Sequence, residues 1–218
     1  MRVVCFMEIC MKETLSILFI VTSLILIITP GQDMMLVMSR SIAQGRKAGV
    51  ATAAGVSFGL LGHTVLAALG LGALLRASEI LFVAIKLIGA VYLVYLGVKL
   101  FRSKHADIDI KGLPVASHLR LFFQGAFSNL SNPKIAIFYF AYLPQFIPTG
   151  SESPTIMLLI LGAAFAVLTF FVKGPIGYGA GVLSSWMRSR PAVLGWVNRV
   201  SGGVLIALGL RLAFERRG

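Results

Sequence analysis

The stretch ITPGQDMMLVMSR, residues 28–40, decides how the fold of this chain is understood. Pro30, Gly31 and then the carboxylate of Asp33 interrupt an otherwise apolar run. A proline removes one backbone hydrogen bond from a helix and clashes with the preceding turn, so a helix breaks there. In a membrane, the freed carbonyl groups and the carboxylate need partners other than lipid. The stretch therefore predicts a broken membrane helix whose interruption faces protein or a water-filled cavity.

The composition of the whole chain indicates an integral membrane protein. Of its 218 residues, 57% are apolar and only 13% are charged, and the mean hydropathy is +0.89, which lies outside the range of ordinary soluble domains. Each of six apolar segments can cross a hydrocarbon layer about 30 Å thick as a helix. The segments cover about 14–39, 48–75, 79–101, 119–147, 154–187 and 194–214. The predicted fold is an all-α membrane protein with six transmembrane helices.

The basic charge of the chain is better explained by membrane topology than by a nucleic-acid partner. The net charge is +12, but the 20 lysines and arginines lie mostly in short loops between the apolar segments. This is the pattern of the positive-inside rule, so we expect contact with membrane lipid and no nucleic acid.

Sequence motifs of enzymes and metal sites are missing. The two cysteines, Cys5 and Cys10, precede the first segment and form neither a CxxC redox pair nor a set of metal ligands. The chain has no nucleophile elbow, no phosphate-binding glycine loop and no HExxH motif. We therefore expect no enzymatic activity, no cofactor and no metal.

The two halves of the chain resemble each other. YLVYLGVKLF at 92–101 matches VLIALGLRLA at 204–213 with an offset of 112 residues, and the breaks at Pro30 and Pro133 recur 103 residues apart. Each half has three segments, an odd number, so the second half must cross the membrane inverted with respect to the first. Two inverted three-helix repeats, with helices one and four broken, are typical of secondary transporters that bind their substrate at the breaks near the midplane.

The predicted organisation follows from these repeats. Residues 1–13 form an N-terminal lead in which Met11 is an alternative start of translation, 14–103 form the first repeat, 104–118 a polar cytoplasmic loop, and 119–214 the second repeat. The loops after segments one, three and five hold ten lysines and arginines, against six on the other side. This difference favours both termini outside the cell.

Asp33 is the only acidic residue well inside a predicted span. Two interpretations stay open: it stabilises the start of its own half-helix, or it binds a substrate ammonium or a coupling proton, because intramembrane carboxylates are costly and usually functional. Lys134, in the second break, is an expected ion-pair partner for Asp33 across the pseudo-twofold axis. Lys173 either extends its ammonium to the membrane surface or contacts the transport path.

Other polar residues have a structural and a functional interpretation. His63 is a buried, hydrogen-bonded helix contact or a proton relay. Asn129 and Asn132 support the second break or meet the substrate. The GxxxG motifs at Gly55–Gly59 and Gly177–Gly181 indicate close helix packing without chemistry.

Four stretches together resemble one known family. They are ITPGQDMMLVMSRSIAQGRKAGVATAAGVSFGLLGH, KLIGAVYLVYLGVKLFRS, FFQGAFSNLSNPKIAIFYFAYLPQF and VNRVSGGVLIALGLRLA. They resemble the LysE/RhtB family of amino-acid exporters from about Met11 to Arg216. In the first span, Gln32 replaces the second proline of the family's Pro-Gly-Pro pattern. The Asn-Pro-Lys pattern of the fourth span is met at 132–134.

The resemblance implies a secondary transporter in the bacterial inner membrane that exports amino acids or related small metabolites and is driven by an ion gradient. We expect the cargo to be a small amino acid or derivative and the coupling ion to be the proton. The alternatives are export of another small metabolite or ion on the same fold, a membrane enzyme, and a subunit without transport activity. A homodimer is compatible with the sequence. The residues expected to bind substrate or ion are Pro30, Gly31, Gln32, Asp33, His63, Asn129, Asn132, Pro133, Lys134 and Lys173.

Overall fold

The computed structural model of the chain describes residues 17–77, 79–102, 114–147, 151, 153–189 and 191–214, and within these ranges it contains helices and no strand. The first helix, α1, covers Ile17–Ile28. The others are α2 (Gln32–Gln44), α3 (Arg46–Ala77), α4 (Glu79–Arg102), α5 (His118–Leu130), α6 (Pro133–Ile137), α7 (Pro154–Ser189) and α8 (Pro191–Phe214). A π-helical stretch, Phe138–Tyr142, and a 3₁₀ turn, Leu143–Phe146, follow α6. The N-terminal lead 1–13 and residues 104–113 of the polar loop lie outside the described residues.

Four helices in the described ranges are each long and apolar enough to cross a membrane. They contain the stretches Arg46–Gly70, Val83–Arg102, Pro154–Leu183 and Gly195–Phe214. Helices α1 and α2 form a fifth span if they are counted together, with a bend of 52° between them. The predicted fourth span, 119–147, is divided among α5, α6 and the two short stretches after them, so the sixth crossing stays a prediction. The all-helical membrane fold is confirmed.

The first break occurs where the sequence predicts it, at residues 29–31. Thr29 directly follows α1, and its hydroxyl donates back to the carbonyl of Ile25 at 2.6 Å. Gly31 is extended and is the N-cap of α2, without a side-chain hydrogen bond to cap that end. Asp33 occupies the first turn of α2, which places a carboxylate near the positive end of the helix dipole.

The second break is built differently, because its new helix is capped. The side-chain oxygen of Asn132 accepts a hydrogen bond from the backbone N–H of Lys134 at 3.1 Å. Pro133 occupies the first turn, where its missing N–H costs nothing. The sequence predicts this interruption but not the π-helical stretch that follows it. Such stretches are rare and frequently occur at functional sites.

Glycines allow three of the helices to approach at backbone distance. An added Cβ on Gly55 of α3 would collide with the backbone of Phe122 in α5, and one on Gly49 with the backbone of Gly177 in α7. Small residues at such crossings are typical of membrane helices. The predicted packing role is confirmed for Gly55, Gly59 and Gly177, whereas a Cβ on Gly181 would meet nothing within 4 Å.

The described helices enclose an aromatic core and leave an apolar outer surface. Phe138, Tyr139 and Tyr142 of the π-helical stretch are buried, and Phe138 packs on Phe165 of α7 with ring centroids 4.7 Å apart. Large apolar side chains lie exposed on the outside, Ile88 and Val91 of α4 and Phe171 of α7 among them. An exposed apolar surface of this kind suits a lipid environment.

Candidate functional site

The carboxylate of Asp33 lies in a buried polar cluster formed by three helices. Its side chain is 3% exposed. Oδ2 accepts a hydrogen bond from Nδ2 of Asn129 in α5 at 2.8 Å and lies 3.4 Å from Nζ of Lys173 in α7. Residues separated by 96 and 140 positions in the sequence therefore meet at the first turn of α2. We call Asp33, Asn129 and Lys173 the polar cluster.

Lys173 directs its ammonium inward. The residue is 5% exposed and its Nζ faces Asp33, so the interpretation in which it extends to the membrane surface is wrong. Removing one member of a buried ion pair leaves the other charge uncompensated, which typically costs about 3–5 kcal/mol. The two charges therefore depend on each other.

The structure gives Asp33 a different ion-pair partner from the one that the repeat symmetry suggested. The pair is formed by Lys173 and not by Lys134. The ammonium of Lys134 instead reaches the first break, where a Cβ added to Gly31 would lie 3.2 Å from it. The two breaks are thus adjacent, as the sequence predicts. The contact between them is made by the side chain of Lys134 against the backbone at Gly31.

His63 joins the polar cluster through Asn129. Its Nε2 lies 3.1 Å from the main-chain oxygen of Asn129, and its ring stacks on Tyr139 with centroids 5.5 Å apart. The hydroxyl of Tyr139 donates to the carbonyl of Gly162 at 3.2 Å and accepts from Thr64 at 3.3 Å. A polar network therefore extends from α2 through α5 and α3 to the π-helical stretch and α7.

The hydrogen bonds of this network are incomplete among the residues that the structure describes. Three buried atoms have no hydrogen-bond partner there: Oδ1 of Asp33, Nδ1 of His63 and Oδ1 of Asn129. A buried polar atom without a partner is costly. The network therefore has capacity for further hydrogen bonds at Asp33, His63 and Asn129.

A cavity of about 340 Å³ lies beside the polar cluster, between the two breaks and helices α4 and α8. Its lining includes residues 29–32, 132–134, Tyr92, Leu96, Lys99 and Leu205. We call it the break cavity. Both of its charged lining residues are lysines, Lys99 and Lys134, and Asp33 is not part of the lining.

The residues predicted to form the site therefore divide into two groups. Those that line the break cavity are Pro30, Gly31, Gln32, Asn132, Pro133 and Lys134. Asp33, Asn129 and Lys173 form the polar cluster, with His63 attached to it. Gln32 bridges to α5, because its Nε2 donates to the hydroxyl of Ser128 at 3.2 Å.

Sequence reasoning missed Tyr92, Lys99 and Tyr139 as parts of the site. The sequence indicates only that Lys99 is a basic residue near a helix end. It indicates only that the two tyrosines belong to apolar segments. The three residues lie in stretches that mark the repeat and the family, but their place beside the breaks depends on how α4 and the π-helical stretch pack. Within the described ranges, no three His, Cys, Asp or Glu residues come together to hold a metal ion.

Comparison with known proteins gives one consistent family. The family model described as LysE type translocator matches residues 24–216. The homoserine/homoserine lactone efflux protein of Salmonella typhimurium is 34% identical over 199 residues, covering 91% of this chain and 95% of that protein. The leucine efflux protein of Klebsiella pneumoniae is 26% identical, covering 89% and 92%.

A relative without an assigned activity is equally similar. The uncharacterized membrane protein YrhP of Bacillus subtilis is 34% identical over 205 residues, covering 88% of this chain and 95% of that protein. No solved structure matches the chain. The matched family consists of translocators, which confirms the expectation of a transporter rather than an enzyme.

Proposed function

Because the chain belongs to the LysE type translocator family, we propose that it is a secondary transporter that exports a small amino acid or amino-acid derivative across the bacterial inner membrane. Relatives that are similar over nearly their whole length are named for efflux of homoserine, homoserine lactone and leucine. These names support a substrate of that size and chemistry.

The observation that carries the proposal is the Asp33–Lys173 ion pair inside the helical bundle. A carboxylate and an ammonium, 3% and 6% exposed, lie 3.4 Å apart beside a broken helix. Ionisable groups inside a membrane are costly and mark substrate or proton pathways. A pair used only for stability is poorly explained, because apolar residues of similar size often stabilise as well or better.

The ion pair also supports coupling to protons. Oδ1 of Asp33 has no hydrogen-bond partner in the described part of the chain, so the carboxylate has a free site for a proton. Protonation would neutralise Asp33 and weaken its attraction to Lys173, which would remove one of the contacts that join α2 to α7. A proton arriving from the outside could drive the transporter in this way between two arrangements.

The packing of α4 against α8 supports an arrangement as two inverted repeats. A Cβ on Gly97 would lie 2.6 Å from the carbonyl oxygen of Gly202, and one on Gly209 would lie 2.7 Å from that of Ala90. With the sequence offset of 112 residues, the first contact becomes the second when the halves are exchanged. This exchange of contacts supports a local twofold axis between α4 and α8, which corresponding helices of an inverted repeat would have.

One end of the bundle is basic, which supports the orientation with both termini outside. The guanidinium of Arg40 donates to the carbonyl of Pro114 at 2.9 Å, and Arg46 lies over the ring of Tyr178, 4.9 Å from its centroid. These contacts bring the loop before α5 and the later part of α7 to the α2–α3 corner. By the positive-inside rule this end faces the cytoplasm.

Counterflow in proteoliposomes tests the proposed export. Vesicles loaded with an unlabelled amino acid should accumulate the same amino acid in labelled form, and empty vesicles should not. The panel is the twenty common amino acids with homoserine, and liposomes without protein are the control. Exchange of none of them would contradict amino-acid export and leave another metabolite as the cargo.

A further inference from the structure

We propose that the break cavity is a carboxylate-binding subsite, in which the ammonium of Lys134 and the start of α2 receive the negative end of the exported molecule. This inference rests on the proposed export function and assigns the carboxylate of the substrate to the break cavity. It also separates substrate recognition, in the break cavity, from the Asp33–Lys173 pair, in the polar cluster.

The charge of the break cavity favours an anion. Lys99 and Lys134 line it, and no acidic residue does. Tyr92 and Lys99, both in the lining, are seven residues apart on α4 and so about 10 Å apart along the helix. Lys99 is exposed, so it marks the mouth of the cavity, and Lys134 lies at the breaks. Two cations at different depths would attract a carboxylate at the mouth and hold it at the breaks.

Lys134 is available for a ligand. Its ammonium has no hydrogen-bond or ion-pair partner among the residues that the structure describes, since Lys173 is the ion-pair partner of Asp33. The ammonium of Lys134 lies against the first break, because a Cβ added to Gly31 would be 3.2 Å from Nζ. A lysine that lies at a helix break without a direct ion-pair partner is suited to an incoming carboxylate.

The start of α2 supplies a second set of donors. The first backbone N–H groups of a helix have no partner within the helix, and no side chain caps this end at Gly31. The second break differs, because Asn132 already caps α6. Gly31 and Gln32 line the break cavity, so free N–H groups and the positive end of the helix dipole lie next to the ammonium of Lys134.

The remaining walls suit the rest of a small amino acid. Leu96, Leu100 and Leu205 provide an apolar surface for an aliphatic side chain, and Tyr92 provides an aromatic ring that can face an ammonium. The volume of about 340 Å³ lies at the lower end of the range for small-molecule pockets. The cavity is thus matched to a zwitterion that enters with its carboxylate toward the breaks.

The test compares transport of two amino acids with transport of analogues that lack the free carboxylate. Counterflow is measured in proteoliposomes for leucine against leucinamide and for homoserine against homoserine lactone, with wild-type protein and with Lys134→Gln. We expect wild-type protein to prefer the free carboxylate. The Lys134→Gln variant should lose about tenfold or more in apparent affinity for leucine and homoserine and change little toward leucinamide and the lactone.

Two matched variants control the experiment. Lys47→Gln removes the same charge from an exposed position outside the break cavity and should behave as wild type. Lys134→Arg keeps the charge and should recover most of the affinity for the carboxylate substrates. Folding of each variant is checked by its elution as a single species from a sizing column.

A second readout does not depend on transport. Leucine should raise the melting temperature of the detergent-purified protein more than leucinamide does, and this difference should vanish in Lys134→Gln. If wild-type protein exchanges amino acids but Lys134→Gln has the same apparent affinities for leucine and leucinamide as the wild type, the proposed subsite is contradicted. The proposed export function is then unaffected. If wild-type protein neither exchanges nor is stabilised by any of the four compounds, the export of such amino acids and the subsite fail together.

Discussion

At the scale of single residues, the site depends on which lysine pairs with Asp33. Lys173 holds the carboxylate at 3.4 Å, and this leaves Lys134 directed at the first break. Two lysines that look similar in the sequence therefore have different surroundings: Lys173 forms a direct ion pair with a buried carboxylate, and Lys134 lines a cavity without a direct ion-pair partner among the described residues. The roles we assign them, coupling and substrate binding, follow from this difference.

Asp33→Asn should abolish export while the protein still inserts and accumulates in the membrane. Asparagine keeps the shape and one acceptor oxygen, so the bond from Asn129 can persist, but the negative charge and the proton site are lost. Efflux of labelled substrate and the amount of protein in the membrane are measured together. Efflux at the wild-type rate from this variant would contradict a role of Asp33 in transport. Asp33 would then only stabilise the start of α2.

Lys173→Met should lower stability more than the double variant Asp33→Asn with Lys173→Met does. The single change leaves a buried carboxylate without its counter-charge, at a typical cost of about 3–5 kcal/mol, whereas the double change leaves no buried charge. Melting temperatures in detergent test this order. We also expect no export from the double variant, and recovered export would show that the pair serves stability alone.

At the scale of elements, close packing of helices positions the two breaks. Helices α3 and α5 touch through Gly55 and Gly125, where an added Cβ would collide with backbone atoms. Helices α4 and α8 touch through Gly97 and Gly202. Because membrane helices gain little from burying apolar surface, such contacts supply much of the cohesion.

Gly202 and Gly203 form a matched pair that tests this packing. A Cβ on Gly202 would lie 2.6 Å from the carbonyl oxygen of Gly97, whereas a Cβ on its neighbour Gly203 would meet nothing within 4 Å. Gly202→Ala should lower the melting temperature in detergent, because overpacking typically costs about 1–3 kcal/mol. Gly203→Ala should leave it unchanged or raise it slightly, since alanine favours helix more than glycine does.

Equal melting temperatures for the two alanine variants would contradict the close crossing of α4 and α8. The comparison is internal, since both residues lie in α8 and both changes add one methyl group. Export by Gly203→Ala should match that of the wild type, because this position lies outside the break cavity.

At the scale of the whole molecule, the orientation in the membrane decides which solution reaches the break cavity. Lys99, at its mouth, lies one turn from the end of α4 at Arg102, and the loop that follows has the basic character of a cytoplasmic segment. In the proposed orientation the cavity opens toward the cytoplasm. An exporter must load its substrate from that side.

Cysteine labelling tests this orientation. Val115 lies in the loop before α5 with 87% of its surface exposed. With Cys5 and Cys10 replaced by serine, Val115→Cys should be protected from a membrane-impermeant maleimide in intact cells and labelled in inside-out vesicles. Labelling in intact cells would reverse the proposed topology.

The sequence by itself determined the membrane class, the location of both helix breaks and the family. These properties depend on composition, on proline chemistry and on local motifs, and each of these can be identified without knowing which helices contact each other. The repeat pattern predicted that the two breaks form one site, but the pairing of Lys134 with Asp33 that it suggested is wrong.

Only the tertiary structure decided which groups meet. The Asp33–Lys173 pair joins residues 140 positions apart, and the choice between two lysines depends on how α7 packs against α2. The break cavity with Lys99 and Tyr92 depends on how α4 crosses α8, through contacts between glycines that no motif in the sequence connects. Which distant charges pair depends on how the helices approach each other in three dimensions. The residues that flank each charge in the sequence do not predict this approach.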